Sequence, residues 1–178
     1  MLLNLNNCII NNKLVFIFYQ YRYMELSEGQ IEKIAESIDA GFTCHINPDT
    51  GEVEETREND DFEIIPDEDD EDYEEFMEDM PDWQKEIRKD IKEQTARIDS
   101  WDRCIVIEQP DSSEAFRFME DFVEEIIPEP EQKMFRKALQ GKKPFANFNN
   151  LIHESKYLDN WYEFKKKKLM EYVREELK

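Results

Sequence analysis

The chain has 178 residues and carries 23 Lys+Arg against 44 Asp+Glu, a formal net charge of −21. It contains no run of eighteen apolar residues, which excludes a hydrophobic membrane span, and its three cysteines are too few, and odd in number, for a disulfide scaffold. Twelve Phe, seven Tyr and three Trp supply the aromatic mass of a packed core, which argues against a wholly disordered chain.

Residues 1–23 stand apart in composition. They hold Lys13 and Arg22, no acidic residue, and no Ala, Gly, Ser or Pro. The stretch 14–19 is β-branched and aromatic, which would suit a strand. It lacks the small residues of a signal-peptide cleavage site. The Asn-, Ile-, Leu- and Phe-rich character reads as translated A+T-rich upstream DNA. The expectation is therefore a native start at Met24, with 1–23 a non-native extension or disordered. Residues 24–178 are expected to form a single α+β domain.

The first helix is announced by Ser27-x-x-Gln30, a capping box in which each side chain satisfies an end amide. Ile31, Ile34, Ala35 and Ile38 recur at helical spacing, and Gly41 supplies the left-handed closing residue. Phe42, Cys44 and Ile46 then alternate with Thr43 and His45, which is the strand period. Residues 47–51, Asn-Pro-Asp-Thr-Gly, are dense in turn chemistry, and 52–56 return as a second strand. Residues 58–82 contain fifteen Asp/Glu and no Lys/Arg, so repulsion predicts a flexible, partly looped segment. Phe62, Ile64 and Ile65 offer one short strand within it. Trp83, Ile87, Ile91 and Ile98 predict an amphipathic helix over 82–98. The run 103–108, apolar on both alternating faces, predicts a buried central strand.

After Pro110, Asp111 with Glu114 predicts a second capping box. Ala115, Phe118, Met119, Phe122 and Ile126 form the stripe of the strongest helix. Pro128 ends it and Pro130 begins the next, with Phe135, Ala138 and Leu139 packing and Gly141 closing. A short helix follows Pro144 with Phe145, Phe148, Leu151 and Ile152. A last helix carries Leu158, Trp161, Leu169, Tyr172 and Val173. Strands early and helices late favour α+β: a small antiparallel sheet (hairpin 42–56 plus strand 103–108) covered by amphipathic helices, with a helical C-terminal half.

The charge is divided unevenly. Residues 24–128 carry nine Lys/Arg against thirty-six Asp/Glu, whereas 129–178 carry twelve against eight. The bland expectation is that the basic tail relieves repulsion in the acidic part and that the remaining charge is solvated. The acidic face could also meet a basic protein partner. Nucleic-acid binding through the tail is the third reading, because Lys142-Lys143-Pro144-Phe145 and residues 161–168 interleave aromatics with cations. A strongly acidic chain is repelled from phosphate, so nucleic acid is disfavoured without being excluded.

Three blocks carry a family resemblance: IAESIDAGFTCHINPDTGEVEE, IEQPDSSEAFRFMEDFVEEI, and ALQGKKPFANFNNLI with Trp161 downstream. Together they resemble uncharacterised protein family 0158, over about Met24 to the C-terminus. The resemblance implies a small bacterial cytoplasmic protein and supplies no catalytic residues.

Sites must therefore be sought in the residues themselves. Asp67-x-Asp69-x-Glu71 with Glu78 imitates a calcium loop, but its sixth position is Asp72 instead of Gly and its eighth is Glu74. Cys44, His45, Cys104 and His153 lack zinc-ligand spacing, and Cys44 and His45 fall on opposite strand faces. Both strand cysteines are expected to pack as small apolar residues. Neither histidine stands in a recognisable nucleophile setting, and four glycines form no phosphate-cradling loop. No metal, cofactor or catalytic residue is assigned. The candidate binding residues are Lys142, Lys143, Phe145, Phe148 and Trp161: core packing would bury the rings, whereas a binding site would leave one exposed beside the lysines. The functional expectation is a non-enzymatic interaction protein whose acidic surface meets a basic partner. The alternatives are a metal-dependent hydrolase or phosphoesterase using clustered carboxylates, and nucleic-acid binding through the basic aromatic tail.

Overall fold

A computed structural model describes residues 26–57, 78 and 80–178. The readings made above on residues 1–23, on a strand at Phe62–Ile65 and on the calcium-like loop lie outside these residues. Among the described residues six helices and three strands follow in the order α1 (Glu28–Asp39), β1 (Thr43–Ile46), β2 (Val53–Thr56), α2 (Asp82–Asp99), β3 (Ile105–Ile107), α3 (Ser112–Glu125), α4 (Glu129–Leu139), α5 (Pro144–His153) and α6 (Leu158–Glu176). This is an α+β arrangement with a helical C-terminal half.

Local chemistry sets the element ends. Ser27 Oγ accepts from the Gln30 amide at 3.3 Å and the Gln30 carboxamide accepts from the Ser27 amide at 3.1 Å, so the α1 box closes in both directions. Gly41 has φ +90° just past this helix, a left-handed conformation that favours glycine. In the hairpin turn, Asn47 Oδ1 accepts from the amides of Asp49 and Thr50, and Gly51 takes φ +81°. The α3 cap departs from its expected form. Asp111 accepts from the Ser113 and Glu114 amides at 2.8 Å, but the Glu114 carboxylate turns to Arg117 at 3.4 Å, a guanidinium one turn along being the stronger partner for a carboxylate.

The strand order is β2-β1-β3, antiparallel throughout. β3 was expected to be a buried central strand; among the described residues it is an edge, and Val106 is 47% exposed. The reason is register. Ile107 opposite Cys44 and Ile105 opposite Ile46 share the inner face, while Val106 opposite His45 faces outward. The centre belongs to β1, whose Cys44 and Ile46 are fully buried.

Two hydrophobic clusters make the interior. Ile31, Ile34, Ala35 and Ile38 of α1, the inner sheet face, and Leu169 and Val173 of α6 form the first. Met119, Phe122, Val123, Ile127, Phe135, Leu139, Phe148, Ile152, Tyr157, Trp161 and Phe164 form the second. Ile126, expected in the α3 stripe, is 38% exposed, and its neighbour Ile127 is buried in its place. α6 therefore runs along both clusters, with Trp161 and Phe164 in one and Leu169 and Val173 in the other.

Cys44 gives the inner face a pH signature. Burial, followed by the nearby Glu55 carboxylate, pushes its thiol from 9.0 up to about 11, against a lowering bond from Ser37. The folded value lies above the unfolded one, so this contribution is complete below pH 9 and is lost as pH climbs from 9 to about 11. The urea midpoint of the native protein should fall across that window. Cys44→Ala should fall less steeply there, and parallel curves would refute the assignment.

Candidate functional site

The five candidate binding residues do not form one surface. Phe148 is fully buried and Trp161 is 8% exposed, their ring centroids 4.9 Å apart in edge-to-face contact. Both belong to the second core, because the α5 and α6 stripes that carry them face Phe122. Phe145 lies one turn earlier on α5 and is 39% exposed, its ring edge-to-face with Phe116 at 6.3 Å between centroids. Lys142 and Lys143, in the loop before α5, are exposed and make no ion pair among the described residues. Phe145 is thus exposed on the helix that follows two exposed lysines, while Phe148 and Trp161 belong to the core.

The basic run of α6 is engaged internally. Lys165 pairs with Asp39, and Lys166 sits between Glu32 and Glu36 of α1. Lys168 reaches Asp121 of α3 at 2.7 Å and Glu125 at 3.8 Å, and Arg174 pairs with Glu28. Hydrogen bonds donated to these carboxylates hold the Lys166 and Lys168 ammonium groups above the usual lysine range. The groove of about 380 Å³ between α3 and α6 gathers Glu114, Asp121 and Glu171, with Lys168 placed among them as a cation. Among the described residues, no group of three or more His, Cys, Asp or Glu side chains is placed to hold a metal ion.

α2 is the element whose packing departs most from expectation. Its stripe predicts burial, yet none of its residues is buried. Trp83 is 58% exposed, Ile87 39% and Ile91 41%. The helix is tied to β2 by polar bonds instead: Arg97 Nε donates to Glu54 at 2.8 Å, and Gln94 Nε2 donates to Glu54 at 2.9 Å and to the Glu55 carbonyl at 3.0 Å. These donors hold the Glu54 carboxyl below its ordinary value, Arg97 first and Gln94 second. No sequence signal marked the stripe as exposed, since the same spacing serves a core face and a docking face.

The four thiol and imidazole groups considered from the sequence separate into different environments. Cys44 is buried on the inner sheet face and His153 is exposed at the end of α5. Cys104 was expected to pack as a small apolar residue, but it precedes the edge strand β3 and is exposed. Its Sγ stands 3.9 Å from His45 Nδ1, and His45 Nε2 stands 2.9 Å from Thr56 Oγ1. His45 and Cys104, which no motif links in the sequence, are thus neighbours in the structure. Antiparallel pairing of β1 with both neighbours puts these groups on one face.

The matching family model is that of an uncharacterised protein family, UPF0158, over residues 84–178. The chain belongs to this family. The UPF0158 span takes in most of α2 and everything after it, including two of the three blocks on which the resemblance rested. The helix-hairpin block at 34–55 precedes the matched span. No curated protein and no solved structure matches the chain. No helix among the described residues is long and apolar enough to cross a membrane.

Proposed function

We propose that this UPF0158 member is a non-enzymatic interaction protein of the bacterial cytoplasm, docking a basic protein partner through α2 and the acidic chain before it. The observation that carries the reading is the apolar stripe Trp83, Ile87 and Ile91, exposed on a helix with no buried residue. Residues four apart on a helix share a face, and such a face seats in an apolar groove of a partner. α2 balances five carboxylates against five cations, so the negative field is supplied by the fourteen Asp/Glu at 58–81. That field would steer a basic surface toward the stripe.

The alternatives receive less support. A carboxylate-based hydrolase calls for several converging carboxylates with one buried. Among the described residues the only buried polar side chain is Asn47, which is spent on the hairpin turn. Nucleic-acid binding by the tail would compete with the pairs that Lys165, Lys166 and Lys168 already make. Lys142, Lys143 and Phe145 remain open and serve in this reading as a smaller, secondary contact.

The test is affinity capture from native lysate by the full chain, after nuclease, at low and moderate salt. The expected result is a stoichiometric basic protein whose yield falls with salt. With that protein purified, Trp83→Ala/Ile87→Ala/Ile91→Ala should weaken binding by about a hundredfold, the scale of a lost aromatic anchor. Equal binding by the triple variant, loss of capture on nuclease treatment, or no basic partner would each overturn the proposal.

A further inference from the structure

We infer that Cys104, with His45 as its proton acceptor and Thr56 holding the imidazole, is a thiol modification site for small neutral or cationic disulfides. Three groups, two on the hairpin strands β1 and β2 and one at the approach to β3, fifty-nine residues beyond His45, converge on the outer sheet face. Cys104 is exposed, so a reagent can reach the sulfur, and His45 is half-buried, so its ring is held in place. Thr56 Oγ1 can accept from Nε2–H, which leaves the Nδ1 lone pair directed at Cys104. This is the order of nucleophile, base and orienting group that activates a thiol.

The step is balanced. The Cys104 S–H proton passes to His45 Nδ1, and the thiolate attacks one sulfur of the incoming disulfide. A new S–S bond forms at Cys104 as the old one breaks. The departing thiolate takes the proton back from the imidazolium and leaves as a thiol. No other oxidant is required, because the incoming disulfide is itself reduced. Cys44 cannot substitute, being buried on the opposite face.

The charged groups around the pair decide the class of disulfide. Glu54 lies opposite His45 on β2 and is held by Arg97. Arg103, next to Cys104, is bound to Asp49. Each cation here is thus matched by a carboxylate, and the field of a chain of net charge −21 acts at longer range. That field repels an anionic disulfide and favours a neutral or cationic one.

The experiment uses the full chain carrying Cys8→Ser, because Cys8 lies outside the described residues. Neutral 4,4′-dithiodipyridine is the probe, read by thiopyridone release, with the modified residue identified by peptide mass. Cys104 should react first, about tenfold faster at pH 7 than a short peptide of residues 101–107, and Cys44 only on unfolding. His45→Gln should remove that advantage at pH 7 while retaining the fold by circular dichroism. The gap between the two proteins should close above about pH 8.5, where a free thiol ionises unaided. Cationic cystamine should outpace oxidised glutathione by about tenfold at low salt, the difference shrinking with added salt. If His45→Gln does not fold, Thr56→Val supplies the comparison and should slow the reaction. A Cys104 no faster than the peptide, or a rate indifferent to both His45→Gln and Thr56→Val, would overturn the assignment.

Discussion

Phe122→Ala should cost about 3–5 kcal/mol of folding stability, the range for removing a fully buried aromatic side chain. Phe122 has no exposed surface and contacts Phe148, Trp161 and Phe164 edge-to-face at 6.2, 5.2 and 5.4 Å. Its loss removes the ring's own burial and leaves its three aromatic neighbours each without one contact, in a space they cannot close without leaving their rotamers. Chemical denaturation followed by tryptophan fluorescence measures the change. A loss under about 1 kcal/mol would mean that the cluster can collapse around the gap and is less tightly packed than its geometry indicates. Phe145→Ala on the neighbouring α5 is the control. Its ring is 39% exposed and should cost far less.

The second large effect is expected from the backbone. Lys167→Pro should destabilise the protein by about 3 kcal/mol or more, whereas Lys167→Ala should stay within about 0.5 kcal/mol. Lys167 makes only a loose 4.0 Å contact to Glu171 and its side chain is 76% exposed, so side-chain removal tests little. Proline at this position removes an amide donor and drives its ring into the preceding turn. The site lies between Phe164 and Leu169, where α6 passes from one hydrophobic cluster to the other. Breaking the helix there should also divide unfolding into two steps, one for each cluster. A single cooperative transition with near-native midpoint would show that the clusters are joined by other contacts and that α6 is not their common spine.

The sequence made visible those features that are decided within a few residues. The box at Ser27 and Gln30, the left-handed Gly41 and the turn at residues 47–51 each follow from local hydrogen-bonding and φ requirements, and each stands where it was expected. The stripes of α3, α4 and α5 were legible because a helix that buries one face must repeat apolar residues at its own period. Features decided by neighbours distant in sequence were not legible. The apolar alternation of β3 describes equally well a centre strand and an edge strand; its place beside β1 makes it an edge among the described residues, and its register turns Val106 outward. The stripe of α2 looks like a core face because apolar spacing encodes amphipathicity and not what the helix packs against. Phe148 and Phe145 are three residues apart on one helix, yet one supports the core and the other opens to solvent. The approach of Cys104 to His45 depends on strand register, which no motif announces.

The pairing of the last helix with α1 and α3 changes what the formal charge means to an approaching molecule. Lys165, Lys166, Lys168 and Arg174 act as counterions fixed in place, condensed onto Asp39, Glu32, Glu36, Asp121 and Glu28. A carboxylate already neutralised in this way holds fewer mobile cations, and so has fewer to release when another surface arrives. The valence that an encounter senses is therefore the net of −21, within which these pairs have already cancelled, and not the forty-four acidic residues. Ionic strength acts on the two populations in opposite directions. Added salt weakens the fixed pairs that hold the helices together, and it relieves the repulsion among the carboxylates that have none. The net dependence of stability on salt should accordingly be shallow.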